Sequence, residues 1–473
     1  MNQISLFDGN EPLKLNNKIR LIELFAGYGS QSLALKYLGV PFEHWAICEW
    51  AVKSIQAYKD IHFTDDNTDY SAAYTEDELV DILYNKGISS NYNEPMTKEQ
   101  IRRLPNKRVV YNNIVATNNL VSVCNVNGED LNIVDTDKYT YIMSYSFPCQ
   151  DLSRAGKGAG MGKDSGTRSG LLWEVERILN DLYNRGGQQE LPQCLLLENV
   201  PDVISTNNVK HFANWVKFLD SLGYTSKWEV LNAKDYGVPQ NRERCFMVSW
   251  LDDYYYDFPQ PIKLTKRLKD VLETNVDEKF YLSDGTIDYF TNLKTQMCNK
   301  LIASGAVKEN DVIRHSYTNS RMNGEMKDIQ QNNISPTLDT RCDCLGVVTK
   351  YELSPQMKKY IVSGDDKYKV GENNLKLNRN IACAKTTREG CSRADTSDYI
   401  SNDLCENYQC TINENLANYR IRKLTPRECF RLMGVKDEDF DKVAKHQSNS
   451  SLYHLAGDSI VVDVLMSIFK EML

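Results

Sequence analysis

The chain is short of most of the features that reveal a protein's surroundings at a glance. It has six histidines in 473 residues, and its 13 cysteines are scattered without one CxxC pair. No zinc-ligand spacing can be read from them. No apolar run approaches the roughly 18 residues that span a bilayer, and Met1 to Asn10 lacks the basic-then-apolar layout of an export signal. An odd cysteine count without such a signal predicts reduced thiols and a cytoplasmic location, with no membrane partner. Positive charge is not in excess, since 56 Lys+Arg against 64 Asp+Glu leave a net charge of -8. A surface of that sign repels phosphate on average, so a nucleic-acid partner would need a locally basic cleft. Internal repeats and low-complexity tracts are also missing. What is present is ordinary globular usage, 41% hydrophobic and 25% charged, which excludes wholesale disorder. At about 150 residues per domain the length predicts two or three domains.

The first readable unit is Ile19 to Leu24, a β-rich run, followed by Phe25-Ala-Gly-Tyr-Gly-Ser30 and a helical stretch, Gln31 to Leu38, stopped by Gly39. A second short strand, Trp45 to Cys48, carries Glu49 at its carboxyl end. Strand, glycine turn, helix, strand and acid follow the grammar of a nucleotide-binding α/β half. Residues 60–128 are polar and form an insertion with two predicted helices, Glu76 to Tyr84 and Lys98 to Leu104. Strand-like runs return at Tyr139 to Ser144, Cys194 to Leu197 and Arg244 to Val248. Between them, Leu172, Val175, Ile178, Leu179 and Leu182 repeat at helical spacing. The alternation predicts a mostly parallel sheet. After Trp250 it fades, Phe258-Pro-Gln-Pro261 reads as a linker, and 259–418 is rich in Asn, Thr, Ser and charge. Helical grammar resumes with a capping box at Thr425-Pro-Arg-Glu428 and an apolar face in Ser459 to Leu473.

Four places could carry chemistry, and each has a plainer reading beside it. Gly27-x-Gly29 lacks the third glycine of a dinucleotide fingerprint and alone is equally well a tight turn. Glu49, 20 residues beyond Gly29, favours a ribose-binding acid. Ser146-Phe-Pro-Cys-Gln150 follows a strand; its cysteine is either a small buried residue or a nucleophile. The next segment, Asp151 to Gly170, holds six glycines and four Lys or Arg, as a basic lid or as a linker would. Glu198, ending an apolar strand in Leu195-Leu-Leu-Glu-Asn-Val200, is a helix cap or a catalyst. In Gln240-Asn-Arg-Glu-Arg244 the two arginines point the same way if the segment is extended, either to steer an anion or as a solvated charge run. At the carboxyl ends of one parallel sheet, these residues would converge on a single crevice.

In this order and strand context, Phe25-Ala-Gly-Tyr-Gly, Pro148-Cys-Gln150, Glu198-Asn-Val200 and Gln240-x-Arg-x-Arg244 resemble the cytosine-C5 DNA methyltransferases of bacterial and phage restriction-modification type. Arg422-x-Leu-Thr-x-Arg-Glu428 with Arg431-Leu-x-Gly434, and then Ala456-Gly-Asp-Ser-Ile460, are similar to that family's last two motifs. The resemblance covers about 19–250 and 420–473. It implies a Rossmann-like, mostly parallel α/β methyltransferase sheet in 1–258, a smaller target-recognition domain in 259–418, and a segment 419–473 returning to the catalytic domain.

It also implies a mechanism and a set of site residues. Cys149 would be the nucleophile on ring carbon 6 of a cytosine flipped out of duplex DNA. Glu198 would handle the ring nitrogen and exocyclic amine, steadied by Arg244 and Arg242. S-adenosylmethionine would be the methyl donor, held by Phe25, Gly27, Tyr28, Gly29, Ser30, Glu49, Trp50, Asp130, Leu131, Pro148, Asp458 and Ser459. Gln150, Ser153, Arg154, Lys157, Arg168 and Gln240 would face DNA. No metal is implied. Two positions depart from the family. Ser30 replaces the second of a usual Gly-Gly pair, predicting slight crowding at the cofactor. Asp458 stands where Asn is usual, placing an extra negative charge there. RNA cytosine methylation and a decayed, merely DNA-binding copy are the alternatives. The long 259–418 region argues against the first, and the intact Cys149, Glu198 and Arg244 against the second. A monomeric state completes the expectations; the sequence leaves open whether the chain partners a cognate restriction endonuclease, travels on a phage or acts alone.

Overall fold

The computed structural model describes residues 11–15, 17–148, 168–281, 312–314, 328–330, 335–336, 345–350 and 419–473. The chain divides into two compact units, one of residues 1–238, 242–263 and 433–473, the other of 239–241 and 264–432.

The larger unit is built on six strands: β1 (Lys18–Leu24), β2 (Phe42–Cys48), β3 (Tyr139–Tyr145), β4 (Cys194–Asn199), β5 (Thr225–Asn232) and β6 (Glu243–Trp250). Their order is β2-β1-β3-β4-β6-β5. β1 to β4 are mutually parallel, while β6 runs antiparallel to both β4 and β5. The expected mostly parallel α/β sheet is present. The chain leaves β1 toward β2 on one side and β3 lies on the other, which opens a crevice at the carboxyl ends of these strands.

Alternation along each strand assigns the two faces. Ile22, Leu24, Met143, Tyr145, Leu195, Leu197 and Met247 join one core with α6 (Leu172–Gly186) and α7 (Val209–Ser221). Val175, Ile178, Leu179 and Leu182 are the buried stripe of α6, as their spacing predicts. Each such fully buried side chain contributes about 1.5–3 kcal/mol. On the opposite face Glu23 turns toward α1 (Ser30–Leu38) and α2 (Val52–His62), accepting from the Ser32 hydroxyl at 2.5 Å and from the Tyr58 hydroxyl at 2.6 Å.

The insertion is more ordered than its polar composition predicts. Besides α3 (Glu76–Lys86) and α4 (Lys98–Arg102) it forms α5 (Lys107–Ala116). Leu79, Leu83, Ile88, Ile101, Val110 and Ile114 pack into a cluster of their own that includes Ile55 of α2 and is flanked by Trp50. Its apolar positions are spread over three short helices, so no single window shows them strongly.

In the smaller unit the described strands β7 (Val312–Arg314), β8 (Asp328–Gln330), β9 (Leu345–Lys350) and β10 (Tyr419–Lys423) form a sheet in the order β8-β7-β9-β10. β10 pairs antiparallel with β9 over five residues. Helix α8 (Pro426–Leu432) follows, and Glu428 both closes the expected capping box on Thr425 and grips Arg422 through two bonds of 2.8 and 2.7 Å. This pairing draws residues 419–432 into the smaller unit. The expected boundary at 419 is therefore corrected to 432.

The rest of the chain returns to the larger unit as α9 (Asp437–Ala444), α10 (Asn449–Asp458) and α11 (Val462–Lys470). α9 is tied to α1, since Asp439 accepts from Lys36 Nζ at 2.7 Å and the Tyr37 hydroxyl at 2.8 Å. The segment Asn449–Lys470 is long and apolar enough to cross a membrane by composition alone, yet 72% of it is buried inside the fold. Its apolarity belongs to the core.

Candidate active site

The glycine turn after β1 is strained on one side and open on the other. Phe25 has φ +61°, a left-handed value rare for an aromatic residue. Gly29, at φ +82°, caps α1, and a Cβ there would stand 2.4 Å from His62 Nε2. Gly27, at φ +57°, has nothing within 4 Å of where its Cβ would be. The turn thus packs tightly underneath and leaves a bare cradle on its exposed side.

Glu49, at the end of β2, faces that cradle. Its Oε2 accepts from Gly27 N at 2.9 Å and its Oε1 from Ala51 N at 2.7 Å. Burial pushes its carboxyl up to about 7, with the charge of Asp458 adding to the shift against the backbone bonds. A buried carboxylate beside an open glycine turn suits hydroxyl donors such as a ribose diol. Asn119, which the sequence gave no reason to single out, fixes it: Asn119 Oδ1 accepts from Glu49 N and its Nδ2 donates to Glu49 O. Trp50 is half-buried against the insertion's core. Asp130 is exposed and caps its own turn through Asn127 N, while Leu131 O accepts from the Trp45 indole at 2.8 Å.

The carboxyl-terminal motif closes on the same turn. The Tyr28 hydroxyl donates to Ser459 Oγ at 2.7 Å, and Ser459 Oγ donates to Ala456 O. Ser30 is buried at the start of α1 and bonds the Tyr28 phenol. The side chain expected to crowd the cofactor is turned into the protein instead. Arg242 Nη2 donates to Gly457 O at 3.1 Å and Ser459 O at 2.7 Å. This residue was expected beside Glu198 and here supports the Asp458–Ser459 turn.

Around β4 the chemistry differs. Glu198 Oε1 lies 3.1 Å from Arg244 Nε, and its Oε2 accepts from the Ser146 hydroxyl at 3.0 Å. Asn199 Nδ2 donates to Phe147 O at 2.9 Å, which ties the end of β4 to the turn that precedes Cys149. Arg244 reaches the crevice from the amino end of an antiparallel strand, not from a carboxyl end as expected. Pairing of β6 with β4 brings that end to the right edge. Pro148 ends the described turn, and Cys149, Gln150, Ser153, Arg154 and Lys157 lie outside the described residues. Arg168 opens the short helical turn Arg168–Leu171. Gln240 is fully buried in the smaller unit, where its Nε2 donates to Leu432 O at 2.6 Å. That placement corrects the expectation of a DNA-facing side chain. Among the described residues, Cys48, Cys194, Cys245 and Cys429 are buried, and burial pushes the Cys194 and Cys245 thiols up to about 12. None of these is suited to act as a nucleophile.

A parallel sheet with a glycine turn, a buried acid after the next strand and a polar cluster two strands away defines an α/β methyltransferase fold. The Dnmt2 methyltransferase of S. pombe shares this fold with a TM-score of 0.51 at 14% identity, over 96% of this chain and 98% of that one. The family model for C-5 cytosine-specific DNA methylases matches residues 110–473. Type II methyltransferase M2.ScrFI of Lactococcus lactis subsp. cremoris is 31% identical over 96% of this chain and 99% of its own length. Orphan methyltransferase M.SssI of Spiroplasma monobiae is 36% identical over 56% of this chain and 68% of its own. The chain belongs to the C-5 cytosine-specific DNA methylase family, and it is a DNA methyltransferase.

Proposed function

We propose that the chain methylates carbon 5 of a cytosine flipped out of a specific duplex sequence, with Cys149 as nucleophile and S-adenosylmethionine as donor. The observation that supports this most directly is the Glu198 carboxylate, held by Arg244 and Ser146 beside the turn that leads into Cys149. The donor supplies an electrophilic methyl group on a sulfonium. Gly27 would leave room for it to approach the backbone, and Glu49 would accept hydrogen bonds from its ribose hydroxyls. Tyr28 and Ser459 fix the glycine turn that would hold it.

The Cys149 thiolate forms a bond to ring carbon 6, and the displaced electron pair moves through the ring. Glu198 gives a proton to ring nitrogen 3 as negative charge develops there, while Arg244 keeps its carboxyl aimed. Carbon 5, now electron-rich, would take the methyl group, the broken carbon–sulfur bond leaving its electron pair on sulfur as the thioether product. Loss of the carbon-5 proton to a base then re-forms the double bond as the cysteine leaves as thiolate, and ring nitrogen 3 returns its proton to Glu198. Residues 151–170, with Ser153, Arg154, Lys157 and Arg168, close over the flipped base and meet phosphates. The region 259–418 reads the target sequence. The enzyme works in the cytoplasm as a monomer.

The test is covalent trapping on mixed-sequence duplex DNA carrying 5-fluorocytosine, with S-adenosylmethionine present. Fluorine at carbon 5 cannot leave as a cation, so the adduct persists on a denaturing gel. A shifted band that disappears in Cys149→Ser supports the reading, and sequencing the trapped DNA gives the target. Trapping on RNA but not DNA overturns the substrate, and a band that survives Cys149→Ser overturns the nucleophile.

A further inference from the structure

The loop between α3 and α4 carries a strained residue at its middle. Tyr92 stands at φ +62°, a left-handed conformation that bulky side chains rarely adopt. Such strain persists only where its surroundings enforce it, and it is concentrated at functional sites. Here the enforcement is visible. Ser89 Oγ donates to Glu94 O at 2.7 Å and accepts from Tyr92 N at 3.1 Å. Ser89 N donates to Trp50 O and Val52 N to Ser89 O, at 2.8 and 2.9 Å. The loop is thereby stitched to the segment just beyond Glu49.

Tyr92 crosses from the insertion to α10. Its ring stacks on His454 at 4.1 Å with 15° between the planes, and its hydroxyl lies 3.4 Å from Ser54 Oγ. His454 Nδ1 is 3.1 Å from Asp458 Oδ2, one helical turn away. The Asp458 side chain keeps 45% of its exposure, so its charge is not sealed inside the fold. Both Glu49 and Asp458 act electrostatically on the Tyr92 hydroxyl, and Asp458 acts on Glu49. Tyr92, through its stack on His454, thus joins the insertion to the end of α10 where Asp458 stands, half-exposed.

We propose that Asp458, beside His454 and the Tyr92 ring stacked on it, makes the cofactor pocket select the sulfonium-bearing methyl donor over its demethylated product. The inference rests on the proposed cofactor site. Donor and product differ by one methyl group and one positive charge, so a neutral pocket distinguishes them mainly by shape. A second carboxylate attracts the cation and leaves the thioether unaffected. The asparagine usual at this position brings no such charge. The departure at 458 thus serves turnover, because product leaves a site that donor re-enters.

Calorimetric titration of the full chain with S-adenosylmethionine and with S-adenosylhomocysteine tests this on wild type, Asp458→Asn, Asp458→Glu and Tyr92→Ala. The ratio of the two dissociation constants is the readout, because a merely structural role would move both constants together. Asp458→Asn should lower the preference for donor by about three- to tenfold, while Asp458→Glu keeps it. Tyr92→Ala, which removes the ring stacked on His454 beside Asp458, should lower it in the same direction by less. Equal shifts for both ligands in Asp458→Asn, or an unchanged ratio, overturn the inference while the cofactor site stands. Wild-type protein that binds neither ligand overturns the cofactor reading and this inference with it.

Discussion

Glu49 and Glu198 end neighbouring parts of the same sheet and have the same exposure, 8% each, yet they keep different company. Glu198 lies against a cation, Arg244, and takes a further bond from Ser146. Glu49 is met by two backbone amides, and the charge named among its electrostatic partners is another carboxylate, Asp458. Burial is therefore not what separates their roles. A carboxylate aimed by an arginine keeps one geometry while it exchanges a proton with a reacting ring. A carboxylate supported by backbone amides beside an empty glycine cradle still has acceptor capacity for ligand hydroxyls. The crevice is divided by partner chemistry into a half that reacts and a half that holds.

Replacing each acid in turn can break that division. Glu198→Gln keeps the shape and removes the transferable proton, so it should lower kcat by about 100- to 1,000-fold. Its affinity for S-adenosylmethionine should stay within about twofold of wild type, since Glu198 makes no bond to the glycine turn side. Single-turnover methylation together with calorimetry separates the two quantities. A loss of cofactor affinity as large as the loss of rate would mean that the two halves are one site.

The converse change, Glu49→Gln, should act on the other axis. An amide accepts from the ribose hydroxyls less well than a carboxylate, and the expected cost is about 10- to 30-fold in cofactor affinity. At saturating donor kcat should remain within about threefold of wild type. Equilibrium titration and steady-state rates at saturating DNA decide it. If kcat falls with saturating donor as far as in Glu198→Gln, the holding role assigned to Glu49 is wrong.

How much of this was legible in the chain depends on how local each feature is. The glycine turn, Glu49 and Glu198 could be read because each sits within a few residues of a strand end that composition reveals. Arg242 and Arg244 misled, because period-two alternation holds only inside a continuous strand. β6 begins at Glu243, and Arg242 lies between it and the two-residue strand Gln240–Asn241. The two arginines therefore reach different partners. Asn119, Asn199 and Tyr92 act through contacts to the backbone or to residues far along the chain, as between Tyr92 and His454, and short polar segments carry no periodic mark of such contacts. The boundary at 432 was hidden for a similar reason. A strand can be recognised at 419–423, but its partner at 345–350 follows only from the fold.

The smallest expected effect comes from protons alone. Glu49 in the folded protein holds its proton up to about pH 7, whereas its ordinary value is 4.5. Between those two values the folded state binds more protons than the unfolded chain, so stability falls as pH rises through the window and levels off above it. The full shift corresponds to at most about 3 kcal/mol, and relaxation of a buried site reduces it, so about 1–2 kcal/mol is the expected loss. Glu49→Gln has nothing to titrate there. Urea unfolding of the ligand-free protein at pH 5 and pH 8 should therefore show a steeper decline for wild type than for the variant. If Glu49→Gln declines as steeply as wild type, another group carries the pH dependence.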